Sequence, residues 1–325
     1  MAMELVKLPN LLKDWPWERR LNPHYEEMRA ASWRWFKSFQ AFDPKSEEAF
    51  ERCDFGHCRT VVDIMMLFAI DTYTDEIDEF VTKEMADMIM DALRSPTKPR
   101  TEGECVLGEM TRQFWELGRQ TSTAMAERHM IEMMQLYLDA VVEDYLKVRR
   151  HTCGCLPSFA LMELEFEFPE EVWQHPLLAR LRDCAAYLVC VGNDLYSYRA
   201  ERARGRHAVH NLMTVIMHQM DLRPQGAANW ISNWVDGLMV DFMDCKANLP
   251  SWGPDVDKQV KEYVEGLAQW VRGHDDWSFE SQRYFGTMGP SVQKTRKTYM
   301  LPRVDALDSP SLARWEEYIL NPTPN

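Results

Sequence analysis

Apolar residues recur at three- and four-residue steps along most of this chain, the period of an α-helix with one buried face. From Pro23 the positions Tyr25, Met28, Ala31, Trp33 and Phe36 begin that rhythm. The segments 60–93, 108–148, 176–206, 208–220, 225–247 and 254–285 continue it, separated by Pro or Gly punctuation. Residues 1–22, rich in Pro, Trp and charge, read as an N-terminal arm. Strand-like alternation is nearly absent. Residues 161–168 do alternate, but one short segment ahead of Pro169 makes no sheet and reads as helix or loop. With no fixed-period repeat, no low-complexity tract and no dividing linker, the pattern predicts a single all-α domain over residues 1–325, built as a helical bundle.

Composition narrows the function without naming it. The 325 residues are 46% apolar and 11% aromatic, enough for a sizeable core. A formal charge of −14 argues against a general nucleic-acid or anionic-membrane binder, because either needs a basic surface to neutralise phosphate. An anionic small substrate would then need help from a metal. The eight cysteines are spread too thinly for a disulfide scaffold and read as reduced thiols; a zinc site from Cys53, His57 and Cys58 lacks the second half that such sites pair with. The most apolar run, residues 61–70, is interrupted by Asp63 and too short to span a bilayer, and the N-terminus has no basic start ahead of a long apolar core. A cytoplasmic protein without a membrane span is expected.

Four stretches carry chemistry. In the run Asn-Asp-Leu-Tyr-Ser-Tyr-Arg-Ala-Glu, the residues Asn193, Ser197 and Glu201 are four apart. On a helix such residues lie about 40° apart around the axis, so an amide carbonyl, a hydroxyl and a carboxylate project from one stripe, with Asp194 directed elsewhere as support. Those are oxygen ligands of the kind Mg²⁺ takes; the alternative is a polar face of a surface helix. Phe68 and Asp71 close an apolar run that ends in Asp75 and Glu76, placing carboxylates at the rim of whatever that helix lines, or simply at a solvated helix end. Near residue 280, Arg283 and Tyr284 offer a guanidinium fork and a phenol to phosphate oxygens, and Trp277 offers a π face to a cation. Arg149 and Arg150 sit at a helix end just before Gly154, which can break the helix and expose a carbonyl; taken alone, such a basic pair is most often surface charge.

Together these stretches resemble class I terpene synthases. Asn193, Ser197 and Glu201 match that family's metal triad, N-D-x-x-S-x-x-x-E, and the run through Arg204, Gly205, His210 and Asn211 is similar to fungal, mushroom-type sesquiterpene synthases. Arg283 and Tyr284 match the family's C-terminal Arg-Tyr pair. The order of aspartate motif, basic pair, triad and Arg-Tyr pair also matches, over residues 68 to 285. The resemblance implies a single α-domain bundle with a central pocket closed by three Mg²⁺ ions, with Mn²⁺ as a possible substitute. It assigns metal to Asp71, Asn193, Ser197 and Glu201, with Asp75 a weaker ligand. It makes Arg149 the diphosphate sensor, with Arg150 the alternative register, and Thr152 and Cys153 the linker and effector, Cys153 acting through its carbonyl. Arg283 and Tyr284 would grip the diphosphate, Phe68 and Trp277 would face the carbocation, and residues 286–325 would lie near the pocket mouth.

Two positions depart from the family pattern. Thr72 stands where the aspartate motif usually has a second acid, and Ala200 stands where a basic residue often precedes the last glutamate, with Arg199 one position earlier. The chemistry is coherent all the same: metal ions with Arg and Tyr donors stabilise charge on a departing diphosphate, and aromatic walls stabilise the cation without offering a nucleophile. The expected substrate is farnesyl diphosphate, giving a sesquiterpene hydrocarbon or alcohol, from a monomer or homodimer. The runner-up is a monoterpene or acyclic-alcohol synthase using geranyl diphosphate with a water quench. A chain-elongating prenyltransferase would carry two aspartate-rich motifs, and a non-catalytic prenyl-diphosphate binder would give no reason for the triad and the Arg-Tyr pair to coexist.

Overall fold

A computed structural model describes residues 4–55, 61–74, 79–101, 103–139, 145–204 and 211–301. A short strand β1 (Leu5–Lys7) is followed by helices α1 (Tyr25–Lys37), α2 (Pro44–Arg52), α3 (Val61–Thr74), α4 (Glu79–Arg94), α5 (Val106–Gly118), α6 (Ala124–Asp139) and α7 (Tyr145–Thr152). Then come α8 (Cys155–Leu161), a 3-10 turn at Met162–Glu165, α9 (Glu170–Trp173), α10 (Pro176–Arg204), α11 (Leu212–Gln219), α12 (Pro224–Ala247), α13 (Pro254–Glu280), α14 (Gly289–Thr295) and the strand β2 (Lys297–Tyr299). The all-α expectation holds, and the pattern's longest blocks resolve into several helices each: 60–93 into α3 and α4, 108–148 into α5, α6 and α7. Residues 161–165 form the end of α8 and the 3-10 turn, and 166–168 run as irregular chain rather than a strand.

The local signals for these boundaries are chemical. Asp43 caps α2, its carboxylate accepting from the Lys45 and Ser46 amides, and Pro44, Pro224 and Pro254 occupy first-turn positions where no amide hydrogen is needed. Gly154, at φ +72°, separates α7 from α8; a Cβ there would meet the Leu67 side chain at 3.0 Å, so α3 presses directly on this turn.

Helix α10 is the axis of the bundle. It lies along α12 and α13 and also touches α7, α8, α9 and α11, so both of its faces are buried from Cys184 to Ala200 apart from Tyr187 and Asn193. A helix covered all round must be apolar or satisfy the polar groups it carries, and Asn193, Asp194, Ser197 and Glu201 in its last turns find hydrogen-bond partners, as described below.

The N-terminal arm is part of the core. Val6, Leu8, Leu11, Leu12, Trp15 and Trp17 are buried, Trp15 donates to the Ala268 carbonyl (3.2 Å) and Trp17 to Glu265 (2.7 Å). The Arg272 guanidinium returns bonds to the Trp17 and Leu12 carbonyls. β1 pairs antiparallel with β2, Val6 opposite Thr298, clipping the arm to the chain beyond α14. Three-residue strands are too short to leave a readable alternation, which is why the hydrophobic pattern shows none.

Candidate active site

The last turns of α10 carry Asn193, Asp194, Ser197 and Glu201, and the structure brings Arg149 and Tyr284 to them. The Arg149 guanidinium donates to Asn193 Oδ1 (2.8 Å) and, through Nε, to Asp194 Oδ1 (2.9 Å). Asn193 Nδ2 donates to the Tyr284 hydroxyl (2.6 Å), which leaves the phenol's own proton available for another acceptor. Asp194 is buried and serves as the support expected of it: its second oxygen accepts from the Leu212 amide (3.1 Å) at the start of α11. Burial pushes the Tyr284 phenol up to about 12, so it stays a donor at neutral pH.

Arg149 and Arg150 are separated by 100° around α7, and the structure distinguishes them. Arg150 turns away from the triad, pairing with Asp183 (2.8 Å) and resting 6.0 Å from the centre of the Tyr187 ring. Arg199 also points away: it is buried, donates to Thr298 Oγ1 (2.9 Å) and lies over the Phe285 ring. It links α10 to β2 and is not directed at the triad, in keeping with its displacement from the family's basic position.

One residue ties the triad together that its spacing alone does not reveal. Asn211, fully buried, donates from Nδ2 to Glu201 Oε2 (2.9 Å) and to the Asp194 carbonyl (2.8 Å), with Ser197 Oγ at 3.4 Å. Burial raises the Glu201 pKa, and hydrogen bonds from Ser197 and Asn211 work against that rise. The available signal was Asn211's place just ahead of the apolar run of α11, which marks an N-cap; that this cap also reaches α10 is a matter of tertiary packing.

Next to this polar collar stands an aromatic wall. Phe68 stacks on Phe55 (4.6 Å between centroids) and approaches Trp277 (6.1 Å), and Trp277 meets Tyr284 edge-on at 5.6 Å. Trp277 is buried and anchored by its indole N–H, which donates to the Cys53 (2.9 Å) and Asp54 (3.1 Å) carbonyls. The Arg283 guanidinium lies 4.0 Å from the centre of the Phe68 ring, joining the Arg-Tyr pair to the wall. His274 packs one turn before Trp277, against Gly192; burial lowers its pKa to about 4, so it is neutral at physiological pH. Phe55 and His274 had no motif to mark them.

Cys153 follows the last residue of α7, its thiol donating to the Arg150 carbonyl at 3.4 Å, immediately before the left-handed Gly154. Asp71 lies within α3, but its side chain, like Asp75, lies outside the described residues, as do His57 and Cys58. Cys53 donates to the Ala49 carbonyl, and every described cysteine is a free thiol. Among the described residues no three His, Cys, Asp or Glu side chains are grouped to hold a metal.

A family model described as terpene synthase family 2, C-terminal metal binding, matches residues 64–241. A delta(6)-protoilludene synthase of Stereum hirsutum is 41% identical, over 93% of this chain and 90% of the relative. The chain belongs to the terpene synthase family. It is a lyase acting on prenyl diphosphates. A delta(6)-protoilludene synthase of Hypholoma sublateritium (42% identical, 91% of this chain, 94% of the relative) and the sesquiterpene synthase Agr9 of Cyclocybe aegerita (42%, 91% and 87%) are also similar. Among solved structures, hedycaryol synthase in complex with HEPES superposes with a TM-score of 0.71 at 17% identity, covering 84% of this chain and 98% of that one, which shows the class I helical fold.

For a terpene synthase of a metal-binding family, the donor chemistry fits a hard divalent ion. Asn193, Ser197 and Glu201 supply an amide oxygen, a hydroxyl and a carboxylate, and the oxygens of Ser197 and Glu201 already converge on one atom, Asn211 Nδ2. Only one of the three is a carboxylate, which accounts for the triad's absence from any acid-rich cluster. No helix among the described residues is long and apolar enough to cross a membrane.

Proposed function

We propose that this terpene synthase is a sesquiterpene synthase that ionises farnesyl diphosphate with Mg²⁺, using residues 1–325 as one catalytic domain. The observation that carries the reading is the polar collar, in which Arg149, Asn193, Tyr284, Ser197 and Glu201, drawn from three separate parts of the chain, meet directly beside the aromatic wall of Phe68 and Trp277. The names of the similar fungal relatives, sesquiterpene and delta(6)-protoilludene synthases, support the C15 substrate class.

Asn193, Ser197 and Glu201 would hold one Mg²⁺ and Asp71, with Asp75 as a weaker partner, two more; bound metal would supply positive charge to the diphosphate oxygens as they gain negative charge. The chain's own donors act on the same oxygens. Arg149 exchanges Asn193 Oδ1 for a phosphate oxygen, Arg283 offers its fork, and Tyr284 donates the proton that its bond from Asn193 leaves free. The allylic carbon–oxygen bond breaks with its electron pair leaving on diphosphate. The Phe68 and Trp277 ring faces then meet the cation and offer it no nucleophile. Cys153, at the turn after Arg149, would pass diphosphate binding on to the pocket through its backbone carbonyl.

The test is incubation of purified protein with geranyl, farnesyl and geranylgeranyl diphosphate separately, with Mg²⁺, with Mn²⁺ and with chelator, followed by gas chromatography and mass detection of volatiles. A chelator-sensitive C15 product is expected, with delta(6)-protoilludene the first reference compound to compare. A C10 alcohol as the sole product would replace this reading with a monoterpene synthase, and no volatile from any substrate would leave a prenyl-diphosphate binder.

A further inference from the structure

We propose that Asn211 is the positioning residue of the metal triad, holding the Glu201 carboxylate and Ser197 hydroxyl in a pre-formed arrangement before any ion arrives. This rests on the reading of Asn193, Ser197 and Glu201 as metal ligands.

Asn211 serves two elements with its two side-chain atoms. Its Oδ1 accepts from the Met213 amide (2.9 Å), the ordinary work of an N-cap, and that bond belongs to α11. Its Nδ2 has no part in the cap. All three of the oxygens around it lie on α10: the Asp194 carbonyl, Ser197 Oγ and Glu201 Oε2 at 2.8, 3.4 and 2.9 Å. An amide nitrogen has two hydrogens, so three acceptors share them, and the oxygens are drawn toward one common point. Two of them are triad side chains.

The physical need is clear from Glu201. Its carboxylate is half-buried at the end of α10, and without a fixed partner the long side chain could take another rotamer. A donor fixed in place holds it to one. Asn211 is itself immobilised, fully buried and tied at its other end to the helix it caps. Groups that orient a metal ligand without touching the metal are worth about 10–100-fold in metal affinity. The same scale is expected here.

A cap-preserving substitution separates the two roles. Asn211→Ser retains a capping oxygen and removes the amide donor, and Asn211→Asp retains Oδ1 while placing an acceptor where Nδ2 stood. The chain and both variants are titrated calorimetrically with Mg²⁺ in the presence of inorganic diphosphate, melted in chelator, and assayed for Mg²⁺ half-saturation and kcat. For Asn211→Ser we expect about 10–100-fold weaker Mg²⁺ binding and a matching rise in half-saturation, with kcat at saturating Mg²⁺ near that of the parent and little change in melting in chelator. Asn211→Asp is expected to weaken binding at least as much. Unchanged Mg²⁺ affinity in folded variants, beside a parent that binds normally, overturns the proposal and leaves the triad reading intact. Failure of both variants to fold in chelator makes Asn211 a cap alone and also overturns it. A parent chain that takes up no Mg²⁺ with diphosphate removes the triad reading itself.

Discussion

The polar collar and the aromatic wall are adjacent, and they are held in different ways. In the collar a few directional bonds fix each atom: Arg149 to Asn193 and Asp194, Asn193 to Tyr284, Asn211 to Glu201, at 2.6 to 2.9 Å. The wall is held by ring contacts of 4.6 to 6.1 Å between centroids and by one anchored N–H at Trp277. Directional networks in a low-dielectric setting strengthen one another and fail together, whereas dispersion between rings is summed over many weak contacts and fails by degrees. The collar should therefore govern whether the substrate ionises, and the wall should govern what the cation becomes.

The sharpest way to break that division is Glu201→Gln, which keeps the shape and removes the charge. Turnover of farnesyl diphosphate should fall on the order of 100-fold or more, since a group aimed at developing charge carries such factors, while the ratio of whatever products remain is unchanged. An altered product ratio at near-normal rate would move Glu201 from the collar's role to the wall's. Next is Arg149→Lys. It keeps a positive charge against the buried Asp194 but loses the fork that spans Asn193 and Asp194, and a loss of roughly 10–100-fold in kcat/KM follows from hydrogen bonds to charged groups worth about 1.5–3 kcal/mol. Arg150→Lys is the control, and an equal loss there would put the sensor in the other register.

The wall gives the converse test. Trp277→Phe retains an aromatic face but loses the indole donor to Cys53 and Asp54, so two carbonyls lose a partner and the ring is free to shift. Product proportions should change, with diphosphate release within about tenfold of the parent by the few-kcal/mol scale of such losses. Release abolished with the protein still folded would mean that the wall also takes part in ionisation.

This contrast also decides what could be read from the chain. The shared helix face of Asn193, Ser197 and Glu201 was legible because four-residue spacing is a local property of a helix, and so was the all-α class, because the helical period runs through nearly every segment. Which of Arg149 and Arg150 faces Asn193 and Asp194 was not: neighbours on α7 differ by a rotation that has meaning only once α10 is packed beside it. Asn211 was visible as the residue ahead of an apolar run, yet the bond to Glu201 depends on how the chain returns from α10 to α11. Phe55 carries no spacing signal, since it meets Trp277 across some 220 residues of chain, as Cys53 does, and His274, one turn from Trp277, is set by its packing against Gly192 of α10. The N-terminal arm was legible as a segment, and only the grooves of α12 and α13 show where Trp15 and Trp17 are buried.

The smallest effect expected lies outside both regions and bounds them. Arg199 sits two positions after the triad serine, but its guanidinium faces Thr298 and Phe285, on the far side of α10 from Glu201. Burial lowers its pKa to about 10, which still leaves it charged at neutral pH, so it depends on the partners it has. Thr298→Val keeps the side-chain shape and removes one acceptor from that charge, which should cost about 1–3 kcal/mol of stability, a melting point lower by several degrees. Product ratio and Mg²⁺ half-saturation should stay at parental values, because the bond joins α10 to β2 and no collar atom takes part in it. A change in Mg²⁺ half-saturation would mean that the collar's geometry is set from the β1–β2 clip as well as from Asn211, and that the network extends through the helix rather than ending on one face of it.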